Sequence, residues 1–254
     1  MIASSTTLGI LGVRLHQFDE LKLGHDLEDE AGQVARLNQS GDAVAFGTTL
    51  PRMRRRREQD HFGRRAKAEG KAARSIYKLE EIDARWRLLR PGFRVLDLGC
   101  APGSWLQYAS VEVGPSGHVI GYDLKPVSIS VPSNVEARVG DAFAIAPADV
   151  PGPFDAVFSD MAPSTMGDHT TDAARSAGLA GRALDMADAH LRRGGCFVAK
   201  VLEGGDVPQL VARMRTMFDK VERLRPKATR KESTELFLVG LGRKAVAQTE
   251  SSLA

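Results

Sequence analysis

Residues 94–105, Arg-Val-Leu-Asp-Leu-Gly-Cys-Ala-Pro-Gly-Ser-Trp, constrain the fold more than any other part of the chain. An apolar, β-branched run meets Gly99, Pro102 and Gly103, the pattern of a buried strand entering a tight turn. Gly99 and Gly103 carry no Cβ, so the backbone there can take positive φ and approach a ligand closely, while Pro102 stiffens the loop between them. Open α/β sheets bind ligands at this end of a strand. The loop is neither Gly-x-Gly-x-x-Gly nor a cradle ending in Gly-Lys-Ser/Thr, so it points to a nucleoside cofactor without phosphates.

The rest of the chain repeats the strand-then-helix theme. Ile76, Leu79, Ile82 and Trp86 form a helical apolar stripe with Lys78 beside it. Strand-like runs follow at 94–98, 118–123, 135–139, 156–159, 196–202, 220–224 and 235–240, with helical stretches between most of them. Seven strands alternating with helices predict an α/β, doubly wound, mainly parallel sheet, with the last two strands an antiparallel pair at one edge.

Charge and composition set the surroundings. Cys100 and Cys196 are the two cysteines and lack Cys-x-x-Cys spacing, so neither a zinc site nor a disulfide framework is indicated, and a reducing cytoplasm is expected. No apolar run reaches membrane-spanning length, and the first residues lack a secretory pattern. The first 50 residues hold 3 Lys/Arg against 7 Asp/Glu, so the overall +3 leaves +7 on the remainder. Arg52, Arg54, Arg55, Arg56, Arg57, Arg64, Arg65, Lys67, Lys71 and Arg74 crowd into one segment, the footprint of a nucleic-acid binder. The expected organisation is a disordered leader over 1–52, a basic RNA-binding arm over 53–74, a catalytic domain over 75–243 and a flexible tail over 244–254. Met53, directly before the arginine run, is a second candidate start for the chain.

Several positions along the strand ends could carry chemistry. Asp123 closes the second strand, where an acidic side chain either takes ribose hydroxyls or caps a helix. Asp141 ends the third strand and either faces the cofactor's base or makes a turn. Trp105 offers a flat surface at the ligand edge or packs in the core. Asp160 follows an apolar strand and precedes Pro163, which biases the segment toward an extended loop. Lys200 sits inside Phe-Val-Ala-Lys-Val-Leu, where burial is costly without a partner; it either snorkels at an edge or pairs with Asp160. Glu235 starts the final strand and faces the same cleft or solvent.

Taken together, Arg74-Ser75-x-x-Lys78-Leu79, Asp97-Leu98-Gly99-x-Ala101-Pro102-Gly103-x-Trp105, Ser159-Asp160-Met161-Ala162-Pro163, Lys200-Val201 and Glu235 closely resemble the FtsJ/RlmE family of ribosomal RNA ribose 2′-O-methyltransferases, over about residues 60–243. The resemblance implies the class I, S-adenosylmethionine-dependent methyltransferase (Rossmann-like) fold, with a seven-stranded, mostly parallel sheet and an antiparallel last strand. It implies a catalytic tetrad at Lys78, Asp160, Lys200 and Glu235, and cofactor contacts at Gly103, Trp105, Asp123, Asp141 and Asp160. It also implies no metal, a uridine of 23S rRNA in the large ribosomal subunit as substrate, and a cytoplasmic enzyme; monomer is the default. Lys200 would act on the 2′-hydroxyl, either as a neutral amine taking the proton or as an ammonium stabilising the oxyanion. Ser104 stands where the family usually has a second glycine, Cys100 replaces a smaller residue, and the acidic leader has no counterpart in the family pattern. A tRNA ribose methyltransferase is the alternative activity, and a non-catalytic ribosome-assembly factor the alternative from another class.

Overall fold

The computed structural model describes residues 61–230 and 232–245, with the backbone of three short strands before them. These strands, β1 (Leu27–Glu28), β2 (Val34–Leu37) and β3 (Ala43–Ala45), form an antiparallel sheet in a unit of their own spanning residues 1–59. The rest of the expected leader, the 52–57 arginine cluster and the tail from 246 lie outside the described residues.

The second unit contains α1 (His61–Ala68), α2 (Ile76–Trp86), β4 (Arg94–Leu98), α3 (Ser104–Val113), β5 (His118–Asp123), β6 (Val135–Val139), β7 (Phe154–Ser159), α4 (His169–His190), β8 (Leu191–Leu202), α5 (Val207–Met217), β9 (Phe218–Leu224) and β10 (Glu235–Arg243). Its seven strands run in the order β6-β5-β4-β7-β8-β10-β9. Strands β4 to β8 pair in parallel, and β10 is antiparallel to both β8 and β9. The expected antiparallel final pair is present, but β10 slots inside the sheet and β9 takes the edge. Strand β8 begins five residues earlier than its apolar run, because Leu191 pairs Phe154 before a register shift and regular pairing resumes at Cys196.

The alternation of side chains along buried strands divides the core in two. Val95, Ala156, Phe158, Val198, Phe237 and Val239 face α2 and α3, meeting Leu79, Ile82, Leu106 and Ala109. Leu96, Val157, Phe197, Ala199 and Leu238 face α4 and α5, meeting Ala183, Leu184, Ala187 and Met214. The stripe expected for α2 is the face that packs: Ile76, Leu79 and Ile82 are fully buried.

Local bonds fix how α2 enters and leaves this layer. It ends at Arg87, in a left-handed conformation (φ 52°), whose N–H bonds the Asp83 carbonyl. The Asp83 carboxylate accepts the Leu89 N–H and the Tyr108 hydroxyl, both at 2.9 Å, and so ties the end of α2 to α3. Burial, together with that bond to Asp83, pushes the Tyr108 phenol well above its ordinary range, so it stays a donor. On the other layer, Asp168 caps the long α4 by accepting the Thr171 N–H at 2.9 Å.

Candidate active site

Parallel strands end at one edge of a sheet, and an antiparallel strand begins there. Asp160 follows β7, Lys200 lies near the end of β8, and Glu235 opens β10, so topology gathers three sequence-distant residues at one edge. Pairing sets the face as well. Glu235 opposes Leu202 and Phe237 opposes Lys200, so Glu235, Phe237 and Lys200 share the side covered by α2 and α3. Lys78 reaches the same place from α2, the stripe of which it borders.

The four side chains form two ion pairs. The Lys78 ammonium donates to Glu235 Oε1 at 2.5 Å and stands 5.7 Å from the centroid of the Phe237 ring. The Lys200 ammonium donates to the Asp160 backbone carbonyl at 2.6 Å and lies 2.9 Å from Asp160 Oδ1. That second approach misses hydrogen-bond geometry, so the buried Oδ1 meets the ammonium by charge alone. Lys78 and Lys200 are both buried, at 6% and 8% exposure, which excludes snorkelling at the edge for Lys200 and requires a partner for each charge.

Beside the pairs opens a cavity of about 320 Å³, within the range of small-molecule sites, lined by Gly99, Asp123, Asp141, Asp160, Met161 and Leu179 among others. Asp123 accepts the N–H groups of Ala101 and Lys125, one on each oxygen and both at 2.9 Å, so it pins the glycine turn while bordering the cavity. Asp141 makes a turn by accepting the Phe143 N–H, and it too lines the cavity. The local role and the cavity-facing role are therefore compatible for both residues.

The structure adds positions that sequence reasoning missed. Arg182, from α4, donates to the carbonyls of Ala142 and Ile145 at 2.7 and 2.6 Å and so holds the Asp141 loop. Asp172 accepts from the N–H groups of Met166 and Gly167 and holds the loop after Asp160. Asp97 is fully buried on β4 with neither carboxylate oxygen hydrogen-bonded. Burial, and then the charges of Asp160 and Asp123, push its pKa well above the usual carboxylate range. The signal for Asp97 was the one used for Lys200: an ionisable residue on the inward side of an apolar strand. Arg182 and Asp172 had no such signal, since polar residues on a helix read as solvated.

Trp105 and Gly103, two expected cofactor contacts, are not among the residues lining this cavity. Trp105 is 2% exposed and does not line the cavity; its ring packs edge-on against Phe158 and tilted against Phe237, with centroids 6.0 and 5.8 Å away. Its indole N–H donates to the Ser75 carbonyl at 2.9 Å, so it carries α2, and with it Lys78, on the floor beneath the ion pairs. Core packing, the other reading of Trp105, is what the fold uses. Gly103 opens α3 at φ 114°, and a Cβ there would stand 2.6 Å from the Ile129 side chain. Ser104, in place of the family's glycine, shares a 2.6 Å hydroxyl contact with Ser75 and so reinforces the same junction.

Gly99 is the tightest position of the turn. At φ +83° a Cβ would lie 2.7 Å from the backbone nitrogen of Met161 and 2.8 Å from its Cα. Gly99→Ala is therefore expected to displace the segment that carries Asp160, costing about 1–3 kcal/mol in stability and weakening cofactor binding. Calorimetric titration with thermal melting checks both; unchanged binding would show that the turn tolerates the methyl.

A doubly wound sheet with an antiparallel strand next to its edge, and a glycine-turn cavity lined by carboxylates, defines an S-adenosylmethionine-dependent methyltransferase of class I. A model of the FtsJ-like methyltransferase family matches residues 72–243, and the chain belongs to that family. It is 46% identical over 193 residues to the ribosomal RNA large subunit methyltransferase E of Oleidesulfovibrio alaskensis, covering 74% of this chain and 93% of that protein. It is 45% identical over 192 residues to the protein of the same name from Sorangium cellulosum, covering 75% and 91%. The crystal structure of a ribosomal RNA methyltransferase from Plasmodium falciparum superposes with a TM-score of 0.61 at 24% identity, covering 69% of this chain and all of that one, and supports the fold. The cavity fits S-adenosylmethionine, which brings a sulfonium, an ammonium, ribose hydroxyls and a flat base. The Asp123, Asp141 and Asp160 carboxylates would answer the cations and hydroxyls, and Leu124, Met161 and Leu179 the base. No described helix is long and apolar enough to cross a membrane.

Proposed function

We propose that the chain methylates the ribose 2′-hydroxyl of a uridine in 23S rRNA of the large ribosomal subunit, as a monomer in the cytoplasm. The observation that carries this is the pair of buried Lys–carboxylate contacts at one sheet edge, beside a cavity suited to the methyl donor. Membership of the family, and relatives named for large-subunit rRNA, support the choice of RNA.

Asp123, Asp141 and Asp160 would hold S-adenosylmethionine, which would supply an electrophilic methyl group. What remains for the protein is to align a weak oxygen nucleophile and to stabilise the negative charge that it develops. Lys200 is the catalytic group: its ammonium, fixed by the carbonyl and carboxylate of Asp160, hydrogen-bonds the 2′-oxygen and stabilises that charge as the oxygen takes the methyl group and the hydroxyl proton passes to water. Asp160, which lines the cavity, holds Lys200 beside it. Lys78 and Glu235, locked to one another, orient the nucleotide. Burial keeps solvent from screening these contacts.

Labelled methyl transfer to large subunits, free rRNA and tRNA from cells lacking the protein tests the proposal. Label on subunit RNA that protects one phosphodiester from alkaline cleavage is the expected result. Label on tRNA alone would replace the substrate, and S-adenosylmethionine binding without transfer to any RNA would make the chain a non-catalytic assembly factor.

A further inference from the structure

The cavity beside the ion pairs is not the larger of the two prominent ones. A second, of about 550 Å³, opens at the opposite edge of the sheet, where the parallel strands begin. The end of α2, the loop into β4, the start of β8 and the end of β10 build it, and Arg87, Arg90, Arg192 and Arg193 line it. One carboxylate, Asp155, is among the lining residues. It is already committed, accepting the Arg94 N–H at 2.7 Å and pairing with Arg192. Arg192 also stacks over Phe93, 5.2 Å from the ring centroid, which holds its guanidinium in place.

Among the described residues, Arg87, Arg90 and Arg193 have no ion pair, and all three are exposed. The thiol of Cys196 offers no compensating charge: burial pushes it up to about 12, and it donates to the Leu88 carbonyl across the pocket floor. Arg87 is the only non-glycine residue at positive φ among those described, at a helix end where glycine or asparagine is the unstrained choice. An arginine held there at a conformational cost places one more guanidinium at the rim.

We infer that this far-edge pocket binds phosphates of the RNA substrate, giving the protein a second RNA contact on the side away from the reacting ribose. Planar guanidinium forks suit phosphate oxygens, and three unpaired cations around one concavity match a folded polyanion rather than a single ion. The five residues of β4 separate the two edges by roughly 15 Å, so one RNA strand in the active site does not fill both. The protein therefore recognises RNA that presents two backbone segments, a requirement met by folded rRNA. The inference rests on the RNA-methylating function proposed above.

The full-length protein carrying Arg87→Gln, Arg90→Gln and Arg193→Gln tests it against wild type and against the corresponding triple lysine variant. Binding to large subunits and to deproteinised rRNA is measured across salt concentration. Because the glutamine variant can no longer neutralise three phosphates, its log–log salt slope falls by about 2, and affinity at about 0.1 M salt drops on the order of a hundredfold. The lysine variant retains most of the slope, S-adenosylmethionine binding stays unchanged, and turnover at saturating RNA is preserved while KM rises. An unaltered slope and affinity for the glutamine variant would overturn the inference. So would loss of inorganic phosphate or uridine monophosphate binding with RNA affinity intact, which would make the pocket a small-anion site. If the double variant Arg90→Gln, Arg193→Gln folds better than the triple, about two thirds of the slope change is expected from it. Wild-type protein that binds RNA in this way but transfers no methyl would refute the enzymatic function alone.

Discussion

Lys200→Ala is expected to reduce methyl transfer by about 10²–10⁴-fold, the usual range for a positioned proton-handling or charge-stabilising group, with S-adenosylmethionine affinity nearly unchanged. The separation follows from the geometry. Lys200 bonds the Asp160 backbone carbonyl and approaches its carboxylate, but it is not among the residues lining the cavity. Its loss removes an interaction with the RNA oxygen while leaving the cofactor's wall in place. Single-turnover kinetics with calorimetric titration of the cofactor measure the two effects separately. Equal loss of both would move Lys200 from catalysis to cofactor binding. Lys200→Arg is expected to recover little, because a planar, longer side chain cannot occupy the same buried seat.

Removing Glu235 has a different signature. Its partner Lys78 is 6% exposed, so Glu235→Ala leaves a buried ammonium without compensation. Breaking such a pair costs about 3–5 kcal/mol, which for a domain of this size lowers Tm by about 6–20 °C. Replacing both partners, Lys78→Met with Glu235→Leu, is expected to recover most of that stability, since Phe237 and its neighbours already form an apolar surround. Methyl transfer should remain lost in the double variant. Stability that returns without activity assigns the pair to orientation of the nucleotide. Activity that returns with stability would mean that the pair only holds the fold together.

These two outcomes separate residues that the sequence presents alike. Lys78 and Lys200 both sit in apolar surroundings, and in the folded chain each meets a carboxylate from a distant segment. One carboxylate is locked away from the cavity, and the other borders it. The chemistry divides along that line.

The far-edge pocket shows how scattered charge can become a site. The arginine run before Arg64 is conspicuous in the sequence, whereas Arg87, Arg90, Arg192 and Arg193 stand in two pairs a hundred residues apart and carry no local signal. They converge because α2 ends where β8 begins, at the start edge of the sheet.

The sequence by itself determined the sheet strands β4, β5 and β6 to the residue, the buried stripe of α2, and the glycine turn after β4, because period-2 and period-3.6 patterns and missing Cβ atoms act locally. It also exposed Lys200 as anomalous, since an ammonium in an apolar strand is costly wherever that strand is buried. Its partner, and the full length of β8, depended on pairing with strands far away in the chain. Only the tertiary structure decided that Trp105 supports the site from below, that Asp97 lies unpartnered beneath it, and that Arg182 and Asp172 hold its loops. Each of these depends on which distant segments a side chain meets, and on whether burial leaves it a partner, and neither is written in the residue's own neighbourhood.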